Sequence, residues 1–191
     1  MKFKTDFINC EKDTILPPTE VQEIFRIISR VPWQASRVEA ASQTGKKVYW
    51  QEAYNRLFAI EFEKLGWESE PIIREKPLHK ADFSNNKILV EIQFGNSATV
   101  YRDFYKFHYG WVNELQSLGV LILPTNQYKF FPKRNPQSIG NMATYEYALE
   151  HLAAVSIPVP ILLIGARETV RAVDNRKEMV KLKQTLEPDS P

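Results

Sequence analysis

Apolar residues recur with two different periods along this chain, and the change from one to the other divides it. After Pro17 and Pro18, Thr19-Glu20-Val21-Gln22 has the form of a capping box. Val21, Ile24, Phe25 and Ile28 then repeat at helical spacing up to about Val31, and Pro32 stops the helix. The stretch "QASRVEAASQTGKKVYW" is polar and rich in small residues, with Gly45-Lys46-Lys47 reading as a turn. A second helix is predicted from Gln51 to Leu65, with Tyr54, Leu57, Phe58, Phe62 and Leu65 on one face and Gly66 ending it. Glu61 falls on that apolar face.

From Pro71 the period shortens. "PIIREKP" and "HKADF" are short extended pieces, Ser84-Asn85-Asn86 is a hairpin-type turn, and Lys87 to Phe94 is a strand. That strand is apolar on both faces apart from Glu91 and Gln93, so it belongs in the centre of a sheet covered on both sides. Gly95-Asn96-Ser97 breaks it. A helix follows with Val100, Phe104, Phe107, Trp111 and Leu115 on one stripe, and with Arg102, Asp103, Lys106, Asn113 and Glu114 largely elsewhere. "LGVLILP" is a buried strand ended by Pro124, and a polar, proline-containing loop leads to a helix around Thr144 to Ala153. "VPILLIG" is the next buried strand, and the segment from Arg167 to Leu186 reads as helical and basic. The order, two helices and then βββαβαβα, predicts an α/β fold with a mixed central sheet flanked by helices. Without internal repeats or a linker, the expectation is a single domain over residues 1–191.

Composition narrows the class. Hydrophobic residues make up 43% and aromatics 12% of the 191 residues, which argues for a folded protein. No run of eighteen apolar residues occurs, so no membrane span is expected. The first residues, Met1 to Asp6, lack the apolar core of a signal peptide, and the expected location is the cytoplasm. A single cysteine, Cys10, excludes an internal disulfide and any cysteine-based metal site. His79, His108 and His151 are scattered and read as structural. A net charge of +2 neither points to nucleic acid nor excludes it.

The chemistry lies in the interrupted strand. A carboxylate in a strand buried on both faces costs several kcal/mol unless it is paired or bound to a cation. Within the strand only Lys87, at its start, could neutralise Glu91. Glu91 and Gln93 are two apart and share a face, and a hairpin can bring Asp82 alongside them. Asp82 taken alone reads as a solvated acid beside a turn. Together, two carboxylates with the Ile92 carbonyl between them make an oxygen-rich site suited to Mg²⁺. Such a site supports phosphodiester hydrolysis.

The pattern resembles the PD-(D/E)XK nuclease superfamily, whose signature is an acid, a variable gap, and acid–X–lysine on the next strand. Here it is Asp82, eight residues, then Glu91-Ile92-Gln93. Glutamine in place of lysine departs from most of the superfamily but is similar to the branch of type II restriction endonucleases around BglII and BstYI. Asp82-Phe83 and Glu91-Ile92-Gln93-Phe94-Gly95 follow that branch, as do "YNRLFAIEFEKLGW" before the motif and "VPILLIG" after it. The resemblance spans about residues 17–165, and the basic segment 166–191 has no counterpart in it.

That resemblance implies a restriction-endonuclease-like fold and Mg²⁺-dependent cleavage of double-stranded DNA at a short palindrome, with GATC as the expected core. It implies a homodimer, and a cognate DNA methyltransferase as functional partner. Asp82, Glu91 and the Ile92 carbonyl would hold the metal, with Gln93 near the attacking water. A neutral amide cannot be a general base and can only orient that water. Glu61 is a candidate ancillary acid or an acid at the edge of the core. Asn96 and Ser97 would face the major groove. Arg37, Lys46 and Lys47 read as phosphate contacts or as solvated charge. Lys133 and Arg134, with Lys129 and the aromatics Tyr128, Phe130 and Phe131, form a basic-aromatic cluster that could clamp the backbone. The competing readings are a repair or junction nuclease, a DNA-binding module without catalysis, and a scaffold whose acids are structural.

Overall fold

In the computed structural model of the chain, which describes residues 1–10, 18–33, 50–131, 139–155 and 157–168, the elements begin with β1 (Lys2–Ile8), α1 (Pro18–Arg30) and α2 (Trp50–Glu63). Short strands follow: β2 (Glu68–Ser69), β3 (Ile72–Arg74), β4 (His79–Lys80) and β5 (Phe83–Asn85). The chain continues through β6 (Ile88–Ile92), α3 (Thr99–Val112), β7 (Leu118–Pro124), α4 (Gln127–Phe130), α5 (Tyr145–Val155) and β8 (Ile161–Arg167). Six strands form one mixed sheet in the order β1-β8-β7-β6-β5-β2, and β3 pairs with β4 separately. The central pairs β6–β7 and β7–β8 are parallel, while β1–β8, β5–β6 and β2–β5 are antiparallel. Among the described residues no helix is long and apolar enough to cross a membrane.

Strand alternation sends side chains to two cores. Ile88, Val90, Ile92, Val120, Ile122, Leu162 and Ile164 pack with α1 and α2. Leu89, Leu121, Leu123, Ile161 and Leu163 pack with α3 and α5 on the opposite face. The predicted mixed sheet with helices on both sides is therefore observed. All five residues of β6 are buried, as a central strand requires. Gly66, at φ 80°, ends α2, and Trp67 N donates back to Phe62 O at 3.2 Å.

Two features depart from the sequence expectation. β1 was not among the expected elements, although Phe3, Thr5 and Phe7 alternate with Lys2, Lys4 and Asp6; it forms an edge strand along β8. The apolar stripe of α3 is buried only in its first half. Val100, Phe104 and Phe107 enter the core, but Trp111 is 36% exposed and Leu115, beyond the helix, 47% exposed. Asp103 and Lys106, expected largely on the outer face, are buried instead. The 166–191 segment falls outside the described residues from Thr169 onward, as do Arg37, Lys46, Lys47, Lys133 and Arg134.

The hairpin carrying Asp82 is anchored through aromatic packing. Phe62 stacks on Phe83 (centroids 4.3 Å apart, planes 10° apart) and meets Trp67 edge-on at 5.1 Å. Phe62→Ala is expected to lower the unfolding free energy by about 3–5 kcal/mol, read from the urea midpoint at unchanged slope.

Candidate active site

A two-residue turn sets the geometry. Asn86 and Lys87 both have left-handed backbones (φ 46° and 63°), as a type I′ hairpin loop requires, one residue later than the turn expected from sequence. The resulting register puts Phe83 opposite Val90 and Asn85 opposite Ile88. Continuing past the ladder, Asp82 N donates to Val90 O at 3.2 Å, and Ile92 N donates to Asp82 Oδ2 at 2.6 Å. Asp82 is thus clamped beside Glu91 and Ile92 by the hairpin's own backbone.

Glu91 and Gln93 share the strand face that looks onto α3. Glu91 is 3% exposed, and its charge is met by Lys106, whose Nζ donates to Glu91 Oε1 at 2.6 Å. The same ammonium lies 3.1 Å from Asp103 Oδ1, one helical turn earlier on α3. Gln93 Nε2 donates to Asp103 Oδ2 at 2.7 Å, and Gly95 N donates to Gln93 Oε1 at 3.0 Å. The amide is therefore held at both ends. Gly95 permits this closeness, because a Cβ there would meet Gln93 Oε1 at 2.9 Å and Gln51 Nε2 at 3.2 Å.

Three carboxylates around one ammonium leave an excess of negative charge. The Glu91 carboxyl is pushed well above the usual range, first by burial, then by the charges of Asp82 and Asp103, against the pull of Lys106. Burial also raises Asp82, opposed by the Ile92 N–H and by Lys106. Asp103 Oδ1 is buried and accepts no hydrogen bond.

These observations bear on whether a divalent metal suits the site. Hard oxygen donors with surplus negative charge match the chemistry of Mg²⁺. Among the described residues, no group of three or more His, Cys, Asp or Glu side chains stands in a ready coordination shell. A cation held by Asp82 and Glu91 would complete its shell with a backbone carbonyl and water, which Mg²⁺ favours. Beside Asp82 opens a pocket lined by Asn55, Arg56 and Ala59 of α2, by Ser69 and Glu70, and by Phe83 and Ile92.

Other expected residues are placed differently. Glu61 is not brought to the cluster: it pairs with Lys64 at 2.6 Å and with Arg30 at 3.8 Å, between α2 and α1. The acid that shares the pocket with Asp82 is Glu70, whose N–H donates to Asp82 O at 2.9 Å. Asn96 is exposed, but its Oδ1 accepts from Ala98 N at 2.9 Å and its backbone carbonyl accepts from Thr99 N, so it shapes the entry to α3. Ser97 N donates to Asn141 O at 2.8 Å. Phe130 and Phe131 are fully buried against Tyr54 and Phe94 and are core, whereas Tyr128 of the same cluster is exposed. His151 Nδ1 is 2.7 Å from Tyr101 Oη. Sequence reasoning did not find Lys106, Asp103, Asn55, Arg56 or Glu70. The one signal for the first two was their three-residue spacing on α3.

The family model of the BglII/BglIII restriction endonucleases matches residues 13–166 of this chain. In fold the chain is similar to restriction endonuclease BglII, solved in complex with a DNA 16-mer. The TM-score is 0.71 at 21% identity, covering 88% of this chain and 78% of that one. The fold is thus restriction-endonuclease-like, as the motif implied. No curated protein matches the chain.

Raised carboxyls set the sign of the pH dependence. A group whose folded pKa exceeds its unfolded value holds its proton longer when folded, so stability falls as pH rises from the unfolded carboxylate range (about 4) through the folded value. In EDTA at neutral pH, Glu91→Gln should therefore raise Tm, by about 2–4 °C for each kcal/mol relieved. The gain should shrink toward pH 4 in thermal melts across pH.

Proposed function

The chain belongs to the BglII/BglIII restriction endonuclease family, and from that membership we propose that it cuts double-stranded DNA at a short palindrome in a Mg²⁺-dependent reaction. It is a site-specific deoxyribonuclease. The observation that carries the finer reading is a half-buried Asp82 held by the Ile92 N–H at the edge of an open pocket, with Glu91 buried beside it and held by Lys106.

In this reading Asp82, Glu91 and the Ile92 carbonyl hold the cation. When bound, the cation supplies Lewis-acid polarisation of the scissile phosphate and charge for the departing oxygen. The protein's own contribution is positional. The Ile92 N–H fixes one Asp82 oxygen, leaving the other to turn toward the pocket. Gln93, tethered to Asp103 and Gly95, presents a fixed amide that orients water without taking its proton. Arg56 lines the same pocket and supplies positive charge to a phosphate entering it.

A palindromic target has two-fold symmetry, so the working unit is proposed to be a homodimer in which each copy cuts one strand. BglII in its solved complex holds DNA, which supports duplex DNA as the substrate class. The core of the target is proposed to be GATC, with Asn96 and Ser97 on the groove side and Arg37, Lys46, Lys47, Lys133 and Arg134 on the phosphates. A cognate methyltransferase would protect host sites. The family match covers residues 13–166, and the proposed organisation is a single domain over 1–191 with its core at about 17–165 and the basic segment 166–191 as a tail.

Unmethylated DNA of phage length, incubated with purified protein and Mg²⁺, should yield discrete fragments whose ends read out the site, and should stay intact in EDTA. Asp82→Ala and Glu91→Ala should each slow cleavage about 100-fold or more. A smear instead of bands would point to a non-specific nuclease.

A further inference from the structure

We infer that Lys106 is a resident counter-cation whose ammonium transfers from Glu91 to Asp103 when a divalent metal takes Glu91. The inference rests on the metal-dependent reading of the site and adds a moving part to it. Lys106 Nζ sits between two carboxylates, 2.6 Å from Glu91 Oε1 and 3.1 Å from Asp103 Oδ1. It donates a hydrogen bond to the first, whereas Asp103 Oδ1 is buried and accepts none. Asp103 Oδ1 is thus ion-paired with the ammonium but without a hydrogen bond from it, the less satisfied of the two buried oxygens that share this cation.

The surroundings make Asp103 Oδ1 a receiving position. Gln93 Nε2 holds Asp103 Oδ2 at 2.7 Å, so the carboxylate cannot swing to another donor. The other cation nearby, Arg102, is largely exposed and its Nε lies 3.9 Å away, beyond hydrogen-bonding distance. Lysine is suited to a short transfer: its ammonium is a compact charge with three rotatable donors on a flexible stem, and rotation about its last bonds moves it between the two oxygens.

Charge gives the motive. Three carboxylates, those of Asp82, Glu91 and Asp103, face one ammonium, and a single divalent ion balances the remainder. Once that ion sits on Glu91, the ammonium beside it meets like charge, and moving toward Asp103 relieves the repulsion while satisfying Oδ1. The lysine missing from position 93 of the strand motif is thereby supplied from α3 as a positioning residue. It holds Glu91 oriented before the metal arrives and withdraws afterwards.

The experiment is a crystal structure of the DNA-free protein soaked with Mn²⁺, paired with calorimetric Mn²⁺ titrations of the wild type, Lys106→Gln, Lys106→Met and Asp103→Asn. The expected structure has Mn²⁺ on Asp82 and Glu91, with Lys106 Nζ hydrogen-bonded to Asp103 Oδ1 and off Glu91. Both Lys106 variants should bind Mn²⁺ about tenfold more tightly, having no ammonium to displace, and Asp103→Asn about tenfold more weakly. Mn²⁺ bound with Nζ still on Glu91 would overturn the transfer and leave the metal site standing. Unchanged or weaker affinity in both Lys106 variants would overturn it as well. No Mn²⁺ on Asp82 and Glu91 would remove the metal reading itself, and the inference with it.

Discussion

Burying negative charge in a strand covered on both sides is the constraint around which this molecule is arranged. Glu91 sits between Val90 and Ile92, which face the α1/α2 core, and opposite the α3 layer. An unpaired carboxylate there would be untenable, and the strand offers no cation of its own. The partner must come from the layer above, which explains why α3 turns Asp103 and Lys106 inward at a helical position where a leucine would otherwise pack. Gln93 and Gly95 then serve the same end, Gln93 by bonding Asp103 and Gly95 by leaving room for the Gln93 amide.

The two halves of the site have different mechanical characters. Asp82 is fixed by main-chain hydrogen bonds within a tight hairpin, and Phe83 beside it is stacked on Phe62, so its carbon skeleton has little freedom. Lys106 reaches Glu91 at the end of a long flexible side chain. A rigid acid set opposite an adjustable cation suits a site that must accept a second, stronger cation without rebuilding its backbone.

Much of this was legible in the residues. Strands around Val90, Leu121 and Leu163 are runs of apolar, β-branched and leucine residues that only a doubly covered sheet accommodates, and Asp82-Phe83 with Glu91-Ile92-Gln93 marked the chemistry. What sequence could not reveal was how wide and how long the buried face of α3 is. Its apolar stripe does enter the core at Val100, Phe104 and Phe107, but the buried acid of β6 draws in Asp103 and Lys106 beside it, while Trp111 and Leu115 stay partly exposed. Glu61 failed for the complementary reason: Lys64, just past the end of α2, and Arg30, at the end of α1, both pair with it, and this local pairing satisfies it. Asn55 and Arg56 join Asp82 only through the packing of α2 on the sheet, which no local pattern records.

The type I′ loop at Asn86-Lys87 has a wider consequence. It makes the chemical centre a nearly self-contained cassette running from Asp82 to Lys106, closed by one hairpin and one helix, with every acid, amide and ammonium of the cluster inside it. Lengthening that loop by one residue would turn Glu91 toward the hydrocarbon of α1 and α2, so the cassette tolerates little insertion. The connections outside it carry no such restriction. Evolution can therefore redesign how the protein grips and reads its target while inheriting the cutting centre as a unit.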